Sequence, residues 1–523
     1  MDHAKAVAIA DDGSVVTVGE FNNTVDMDPG PGVFNVTANG DADAYVRKLD
    51  ASGNFLWAGT LGGSGVEEAF DVALDAAGNV HVVGAFGGTA DLDIGPGVQS
   101  ATSSNTSDDV FILKLDPNGS TIWARWFGGP SNDLGRSIAV DGAGRVLVAG
   151  VFGGTMDIDP GAGTNNVSSV GMEDAFALCL DAAGDHQWGY GWGGSQDDAA
   201  WGIAVDAAGN ATVTGEFKVT ADLDPTAGTF MGLANGAEDL FVLRLDAMGG
   251  FSWAVAMGGS GFERGAGVAM DQTGACIITG DMDSPTDIDP GAGIVVLSGT
   301  SFEDAFVLKL DAGGSLAWGF LLQGFLNDGL GTAVDAAGNV YVCGEYNGTT
   351  DMDPSGSVFN LTALPGPNGF VASYTDAGTF RYAFRCGSIT NDVALNGSFQ
   401  LAAAGQLQGS SDMDPGVGVA TLTSAGMQDA FTALYSDIST AISEPMDAHA
   451  LVYPNPAADR ITVQFPAEAI GADHRMIDLA GAVVLNGRVT GRSMDLDLSS
   501  LAAGCYVLQV DGTGMPPVRV LKR

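Results

Sequence analysis

The sequence is poor in the residues on which most enzyme chemistry and most covalent stapling depend. Its five histidines are scattered, so neither a Ser-His-Asp order nor a His-rich metal set is present. Its five cysteines fall in predicted strands of different parts of the chain, with no Cys-x-x-Cys pair, and imply no disulfide framework. No run approaches the roughly 18 apolar residues of a membrane span. We therefore expect neither a catalytic triad nor a transmembrane segment.

Positive charge is also scarce. The chain has 20 Lys+Arg against 64 Asp+Glu, a formal net charge of −44. A body of this charge repels nucleic acid and attracts cations, so nucleic acid is excluded as a partner.

An acidic loop, Asp-x-Asp, is the most regular feature of the chain and recurs about every 65 residues. Its paired aspartates are Asp26 and Asp28, Asp91 and Asp93, Asp157 and Asp159, Asp222 and Asp224, Asp287 and Asp289, Asp351 and Asp353, and Asp412 and Asp414. A fixed period of this kind is typical of a repeat architecture, in which each unit must stack on its neighbours to bury its apolar face.

Each unit contains four short runs with the alternation of β-strands. In the second unit they cover residues 69–74, 80–86, 109–116 and 121–127, separated by Asp/Asn-Gly turns and by the acidic loop. Four strands in each of seven units predict an all-β, seven-bladed β-propeller over residues 1–437, because radial closure protects the strand edges. A β-solenoid, the main alternative, would need shorter coils.

One of the four strands occurs only six times. It carries a large aromatic residue in each copy: Trp57, Trp123, Trp188, Trp253, Trp318 and Tyr382. We interpret the tryptophans as packing between blades and not as a sugar-stacking row. The seventh copy would lie just upstream of Asp2, and residues 1–5 show no signal peptide. We therefore expect a closing strand and an export signal upstream of Met1.

The repeat unit resembles a known family. Residues 304–311 read Asp-Ala-Phe-Val-Leu-Lys-Leu-Asp, Trp318 follows, and residues 333–344 read Ala-Val-Asp-Ala-Ala-Gly-Asn-Val-Tyr-Val-Cys-Gly. This pattern resembles the SBBP-type bacterial propeller repeats, over residues 1 to about 437. The resemblance implies the propeller fold and says almost nothing about a ligand.

The last part of the chain has a different composition. Residues 438–449 are the predicted linker, and the short apolar runs of 450–523 predict an immunoglobulin-like β-sandwich. Residues 452–456 (Val-Tyr-Pro-Asn-Pro), 477–481, 498–506 and the basic end 521–523 resemble the type A C-terminal sorting domain of the type IX secretion system. An ordinary immunoglobulin-like module is the alternative. The resemblance implies the secretion machinery as a partner, and a secreted or cell-surface location.

The fourteen loop aspartates are candidate calcium ligands. Calcium prefers six to eight oxygen ligands, and Asp-x-Asp sets two carboxylates on one side of an extended segment. Acidic residues near the start of the next strand, such as Asp43, Asp108 and Asp174, could add further ligands. The alternative is a tight turn in which aspartate accepts backbone N–H bonds. We favour calcium because a turn needs one aspartate and these loops keep two.

One position in the first strand of each unit changes chemistry while its neighbours stay nearly constant. The residues are Lys5, Phe70, Arg136, Trp201, Ala266, Leu330 and Asn391. If this strand is innermost, they surround the channel mouth, together with the acidic turn before the strand (Glu67, Glu68, Asp133, Asp197, Asp198, Glu263 and Asp328). Drift at an exposed loop end is the alternative.

These patterns predict a monomeric, calcium-stabilised binding or adhesion module for a glycan or a surface protein, with Lys5, Phe70, Arg136, Trp201, Leu330 and Asn391 as ligand-binding residues. The alternative is a polysaccharide hydrolase or lyase that uses acidic residues at the channel mouth. A carboxylate pair repeated seven times favours a scaffold over an active site.

Overall fold

The computed structural model describes residues 2–283, 285–299, 303–364, 366–416, 418–436, 451–453, 459–464, 469–478, 482–491, 493–502, 504–510 and 518–522. Within these residues the protein is all-β, as predicted: its sheets are antiparallel, and a short 3-10 turn lies at Ser104–Thr106. The chain forms two compact units, Met1–Val358 with Thr362–Ile442 and Phe359–Leu361 with Ser443–Arg523. The predicted linker at 438–449 lies outside the described residues.

In the described part of the large unit, we number seven successive groups of paired strands as sheets 1 to 7. Sheets 5 and 6 belong to one eight-stranded sheet, and Thr89–Asp91 with Ser100–Thr102 extends sheet 1 to six strands. Sheet 1 contains Asp2–Ile9, Val15–Phe21, Asp43–Leu49 and Phe55–Gly63; sheet 2 contains Glu67–Leu74, Val80–Gly87, Asp108–Leu115 and Thr121–Phe127. Sheet 3 contains Asp133–Val140, Val146–Asp157, Asn166–Leu180 and His186–Trp192; sheet 4 contains Ala199–Val205, Ala211–Phe217, Asp239–Leu245 and Phe251–Met257.

Sheets 5 and 6 are joined by one long strand, Leu316–Val334. Sheet 5 also contains Glu263–Met270, Cys276–Met282 and Asp304–Leu310, and sheet 6 also contains Val340–Asp351, Asn368–Tyr374 and Phe380–Arg385. Sheet 7 contains Ile389–Leu395, Leu401–Leu407 and Asp429–Tyr435, three strands where the other sheets have four. Short strands beside the acidic loops are Thr24–Asp26, Asn35–Thr37, Thr89–Asp91, Ser100–Thr102, Thr220–Asp222, Met231–Leu233, Thr286–Asp287, Val296–Leu297, Asn360–Thr362, Ser410–Asp412 and Thr421–Thr423.

The second and third strands of sheets 1 to 6 are largely buried on both faces, whereas the third strand of sheet 7, Asp429–Tyr435, is mostly half-buried. Asp239–Leu245 is buried at every position, whereas the first strand Glu67–Leu74 is only partly buried. The first and second strands are connected by a turn such as the one at Asp75, whose Oδ1 accepts the N–H groups of Ala77 (3.0 Å) and Asn79 (2.9 Å). This is the turn chemistry that the Asp-x-x-Gly-Asn pattern predicts.

Neighbouring sheets pack face to face. Val16 and Val46 of sheet 1 share a core with Phe111 of sheet 2, and similar cores join sheets 2 with 3, 3 with 4, 4 with 5 and 6 with 7. Sheet 7 packs in turn on sheet 1, where Ala4 and Ala402 belong to one cluster. Thr17 and Thr432 Oγ1 atoms lie 2.9 Å apart across that contact. Shared cores therefore join six of the seven pairs of neighbouring sheets, including sheet 7 with sheet 1, and sheets 5 and 6 are joined by a common strand.

The outer aromatic row packs between sheets, as the sequence suggested. Trp57 Nε1 donates to the carbonyl of Pro117 in the following sheet (3.1 Å), and Trp123, Trp253 and Trp318 make the equivalent bond. Trp188 differs: its Nε1 is buried without a partner, and Arg145 donates to the carbonyl of Ala247, which lies at the equivalent position. The four described cysteines, Cys179, Cys276, Cys343 and Cys386, are buried free thiols.

The small unit contains two antiparallel sheets in its described residues. One has Leu451–Tyr453, Arg460–Gln464 and Ser493–Asp497, and the other has Asp473–Asp478, Val483–Arg488, Gly504–Val510 and Val518–Lys522. Both contribute to one core, in which Ile461, Met476 and Leu508 are buried. Neither unit contains, among the described residues, a helix with the length and apolar character of a membrane span.

Candidate functional site

The acidic loops are closed by their own aspartates. In the third loop, Asp157 Oδ1 accepts the N–H of Asp159 (3.2 Å) and that of Asn165 (2.8 Å), and Asp159 Oδ1 accepts the N–H of Gly161 (2.8 Å). The first, second, fifth and seventh loops repeat all three bonds, and the fourth and sixth differ only in detail. The residue between the aspartates, such as Ile158, is buried and anchors the loop in the core.

The Oδ2 atom of the second aspartate in each loop lies close to a backbone position that is glycine in six of the seven loops. A Cβ added to Gly163 would lie 2.1 Å from Asp159 Oδ2, and the equivalent glycine of five other loops is as close to its own aspartate. Those glycines are Gly32, Gly97, Gly228, Gly293 and Gly418. The sixth loop has Ser357 at this position. A glycine four residues after the second aspartate is therefore part of the loop motif, and sequence analysis missed it.

The calcium hypothesis for the fourteen loop aspartates stays a prediction. Among the residues that the structure describes, no three His, Cys, Asp or Glu side chains form a group that could hold a metal ion. The loop geometry gives both aspartates a structural role, which is the alternative that the sequence left open.

The acidic turn before each first strand divides into two groups. Glu67 is fully buried, and its Oε2 accepts the N–H of Gly63 (2.9 Å). Asp133, Asp198 and Glu263 cap the equivalent glycines. Burial, aided by a nearby carboxylate such as Asp43, raises the pKa of Glu67 to about 7. These four residues therefore lie inside the protein, and the expectation that they surround a channel mouth is wrong. Glu68, Asp197 and Asp328 are half-buried.

The strand-start acids are structural too. Asp43, Asp174 and Asp239 are buried and accept N–H groups from the segment before them. In the second unit Asp109, and not Asp108 as expected, has this role and accepts the N–H of Ser104 (3.0 Å). Alternation alone did not show which of two adjacent aspartates points inward.

The seven variable residues share one unusual backbone position. In each sheet the pairing of the first and second strands skips one residue of the first strand, as in sheet 3, where Gly135 pairs with Gly150 and Ser137 with Ala149. The skipped residues are Lys5, Phe70, Arg136, Trp201, Ala266, Leu330 and Asn391. We call them the bulge residues. A β-bulge leaves its extra residue outside the ladder and redirects its side chain.

A glycine in the second strand makes each bulge possible. A Cβ on Gly150 would lie 2.0 Å from the carbonyl oxygen of Leu134, and the six equivalent glycines are equally close to a first-strand carbonyl. They are Gly19, Gly84, Gly215, Gly280, Gly344 and Gly405. Glycine inside a strand is the sequence signal for a bulge or a close backbone approach, and it could have identified the site directly.

Four bulge residues form a continuous row of alternating cations and rings. Lys5 Nζ lies 6.0 Å from the ring centroid of Phe70, and the Arg136 guanidinium carbon lies 4.8 Å from Phe70 and 4.8 Å from Trp201. Sheet 5 has Ala266 at the bulge. There the cation is Arg264, whose guanidinium carbon lies 5.5 Å from the ring centroid of Trp201. Cations within about 6 Å of an aromatic centroid are attracted to the ring face.

The other bulge residues are chemically unlike this row. Leu330 is apolar, and Asn391 Nδ2 donates to the carbonyl of Ala4 (2.7 Å), which connects sheet 7 to sheet 1. All seven bulge residues are half-buried. The structure thus brings Lys5, Phe70, Arg136 and Trp201 together, with Asn391 beside the first of them.

Carboxylates neutralise most of the cations in this region. Lys5 Nζ lies 3.3 Å from Glu20 and 3.7 Å from Glu68, and Arg264 pairs with Asp281 at 2.9 Å. Burial alone would raise the pKa of Glu20, but the hydrogen bond from His3 and the charge of Lys5 lower it to about 2. Burial raises the pKa of Asp281 to about 7 despite Arg264.

The carboxylates next to two of the bulges connect first strands. Asp71 Oδ2 accepts from Ser137 Oγ (2.8 Å) and from the N–H of Ile138 (2.8 Å), and Asp392 Oδ2 accepts the N–H of Val7 (2.9 Å). Burial raises the pKa of Asp71 to about 6 and that of Asp392 to about 7. These groups hold neighbouring sheets together.

Comparison with known proteins gives partial similarities for the body of the chain. Over 142 residues it is 33% identical to the regulatory protein FlaEY of Caulobacter vibrioides, a match that covers 26% of this chain and 15% of that protein. Among solved structures, a protein of unknown function from Bacteroides caccae covers 72% of this chain and 97% of its own, at 10% identity and a TM-score of 0.34. PorZ, a surface component of the type IX secretion system of Porphyromonas gingivalis, covers 99% and 81%, at 11% identity and a TM-score of 0.22.

The end of the chain is similar to a defined family. Residues 451–515 match the secretion system C-terminal sorting domain, in agreement with the resemblance of 450–523. This domain marks proteins that the type IX secretion system exports. The protein is therefore directed to the cell surface or the surrounding medium.

Proposed function

We propose that the large unit is a seven-bladed β-propeller that acts as a secreted or surface-displayed binding module, and that its ligand contacts the bulge residues. Seven successive sheets with a core that returns from sheet 7 to sheet 1 support the propeller. Propellers carry their function in sites added to the scaffold, so the binding site must be argued from particular residues.

One observation carries the proposal. The residues that differ most between units all occupy the extra position of a β-bulge, where a side chain can change without disturbing strand pairing. Four of them touch in a row, so their differences combine into one asymmetric surface. The loop and turn aspartates, by contrast, are bound to backbone N–H groups and have little freedom to contact a ligand.

Binding to arrays of bacterial and host glycans and of surface proteins tests this proposal. The variant Phe70→Ala with Trp201→Ala should lose binding, because it removes both rings of the row. The matched control is Phe34→Ala with Phe230→Ala, which removes two exposed phenylalanines of the acidic loops, 39% and 38% exposed. Equal binding by the two double variants and the wild type would place the ligand elsewhere.

The small unit has a separate role in this proposal: residues 450–523 contact the type IX secretion machinery. Deletion of 450–523 should leave a folded large unit that stays inside the cell, because the sorting signal is lost while the seven-sheet core remains. Fractionation of a strain with an intact secretion system measures this outcome. Loss of folding of the truncated protein would show that the tail is structural.

The alternative of a polysaccharide hydrolase or lyase rests on acidic residues near the bulges. In the described residues, Glu20 and Asp281 pair with cations, and Asp71 and Asp392 accept backbone N–H groups. A hydrolase needs carboxylates that reach a substrate. These four carboxylates are engaged with other groups of the protein, which favours the binding module over a hydrolase that would use them.

A further inference from the structure

Arg136 is held between two aromatic rings. Its guanidinium carbon lies 4.8 Å from the centroids of both Phe70 and Trp201, which belong to the sheets on either side. Stacking on both sides fixes the guanidinium before any ligand arrives, so little side-chain entropy remains to be lost on binding.

Arg136 differs from Lys5 and Arg264 in having no ion-pair or hydrogen-bond partner among the described residues. Lys5 pairs with Glu20 and Glu68, and Arg264 pairs with Asp281. Within the described residues, no hydrogen bond or ion pair reaches the Arg136 guanidinium, and its buried Nε has no acceptor. No ion pair or hydrogen bond to another described residue therefore neutralises or occupies the guanidinium, which is only half-buried.

A second stacked arginine shows that stacking on a ring does not by itself leave a guanidinium without hydrogen-bond partners. Arg125 lies 5.5 Å from the ring of Trp123, but its Nε donates to the carbonyl of Gly184 (2.9 Å) and its Nη2 to that of Ala183 (3.0 Å). Arg125 therefore completes its bonds inside the protein, whereas Arg136 does not.

The surroundings restrict what the acceptor can be. The guanidinium fork matches a carboxylate, which accepts two parallel N–H bonds. Glu68 and Glu173 interact electrostatically with Arg136 and would repel a ligand with many charges. Glu68 is half-buried and Glu173 is exposed, so their carboxylates can instead accept from hydroxyl groups.

We infer that Arg136 binds the carboxylate of a uronic acid residue that stands among neutral sugars in a hydroxyl-rich saccharide. The inference rests on the proposed binding function and specifies its ligand class. The charged fork supplies the strongest bond, and neighbouring carboxylates accept sugar hydroxyls.

The test uses the full chain and an array of saccharides in matched pairs, with a single uronic acid on a neutral backbone in one member and the same sugar reduced to the alcohol in the other. Wild-type protein should bind the free acids at least about tenfold more tightly than the reduced forms, as expected for a charged hydrogen bond. Arg136→Gln should abolish that preference, and Arg136→Lys should retain only part of it because the fork is lost. Arg125→Gln is the control and should leave the preference unchanged.

Each contrary result has its own meaning. Equal binding of acid and reduced members, or a preference that survives Arg136→Gln in a variant with unchanged thermal unfolding, overturns the inference and leaves the binding function standing. Binding only of peptides with a free C-terminal carboxylate, and not of their amides or of any saccharide, replaces the saccharide with a protein ligand and also overturns it. No binding to either array contradicts the proposed function itself.

Discussion

The acidic loops and the β-bulges are both repeated seven times, yet one set is nearly constant and the other is variable. In the loops, the aspartate oxygens accept backbone N–H groups and the glycines make room for them, so a change of residue disturbs the backbone. At the bulges, the backbone is shaped by a glycine in the next strand, and the bulge residue itself lies outside the ladder.

The constant loop residues and the variable bulge residues thus differ in what their side chains do. Regularity first drew attention to the loops as metal sites, a hypothesis that stays a prediction, and the turn bonds of their aspartates are a second reason for the same regularity. The bulge residues differ from sheet to sheet because their side chains carry no common structural duty. In a repeat protein, the departures from the repeat are therefore the better guide to a ligand.

The largest expected effect is a change of thermal stability with pH. It arises from a third set of carboxylates, those buried between sheets. Burial raises the pKa of Glu67, Asp133 and Asp198 to about 7 in the folded protein, well above ordinary values near 4. The folded state then binds more protons than the unfolded state, so this stability is present below about pH 4 and is lost as the pH rises to about 7. We expect the melting temperature to fall by several degrees between pH 5 and pH 8.

Three groups help to define that experiment. Burial lowers the pKa of His81 to about 4 and also lowers the pKa of His474, so these two histidines oppose the trend between pH 5 and pH 6.5. Glu67→Gln keeps an acceptor for the N–H of Gly63 and should reduce the slope and raise stability at pH 8. A melting temperature that rises from pH 5 to pH 8 would contradict the prediction.

The next effect tests the rigidity of the loops. Gly163→Ala should lower the free energy of unfolding by about 1–3 kcal/mol, because the new Cβ would meet Asp159 Oδ2 at 2.1 Å. Gly142→Ala is the matched control, since a Cβ there has open space. Urea unfolding measures both. If both variants lost the same free energy of unfolding, the close approach of Asp159 to Gly163 would not be what requires glycine at this position.

A smaller effect is expected at the bulges. A double-mutant cycle of Arg136→Gln and Trp201→Leu should give a coupling of about 0.5–1 kcal/mol, the size of a partly exposed cation–π contact. Each single variant should retain the fold, because neither side chain takes part in strand pairing. A coupling near zero would show that the row is a set of independent side chains.

The smallest effect distinguishes the two interpretations of the loops. Asp157→Asn with Asp159→Asn keeps the oxygens that accept backbone N–H groups, so stability in metal-free buffer should change by no more than about 0.5 kcal/mol. If the loops hold calcium, added calcium should raise the melting temperature of the wild type more than that of the variant. Isothermal titration of the metal-stripped protein completes the test. A stoichiometry near seven supports the calcium hypothesis, and no heat at millimolar calcium contradicts it.

Much of the fold was accessible from sequence because its determinants are local. Alternation and Asp-x-x-Gly-Asn turns identified the strands, and the six copies of the aromatic strand agree with a three-stranded sheet 7 in the described residues. The strand Leu316–Val334 was not predicted, since pairing with two sheets in succession has no local signature. The sorting tail was recognised from short motifs at fixed positions.

Only part of the candidate site could be predicted from the sequence. The variable positions could be listed, but their contact in space depends on how neighbouring sheets pack, which alternation does not encode. Arg264 was missed because it reaches Trp201 from two residues before the bulge residue Ala266. The sequence also did not show that Glu67 is buried while the adjacent Glu68 is only half-buried, because burial at this turn depends on packing against the neighbouring sheet.

The glycine that faces each bulge also makes the large unit a suitable starting point for engineering. Because the kink is set by Gly150 and its equivalents, a library could randomise all seven bulge residues without altering a single strand-pairing bond. Selection for a new ligand would then act first on the contiguous row Lys5, Phe70, Arg136 and Trp201, and the sorting domain would direct every variant out of the cell that made it.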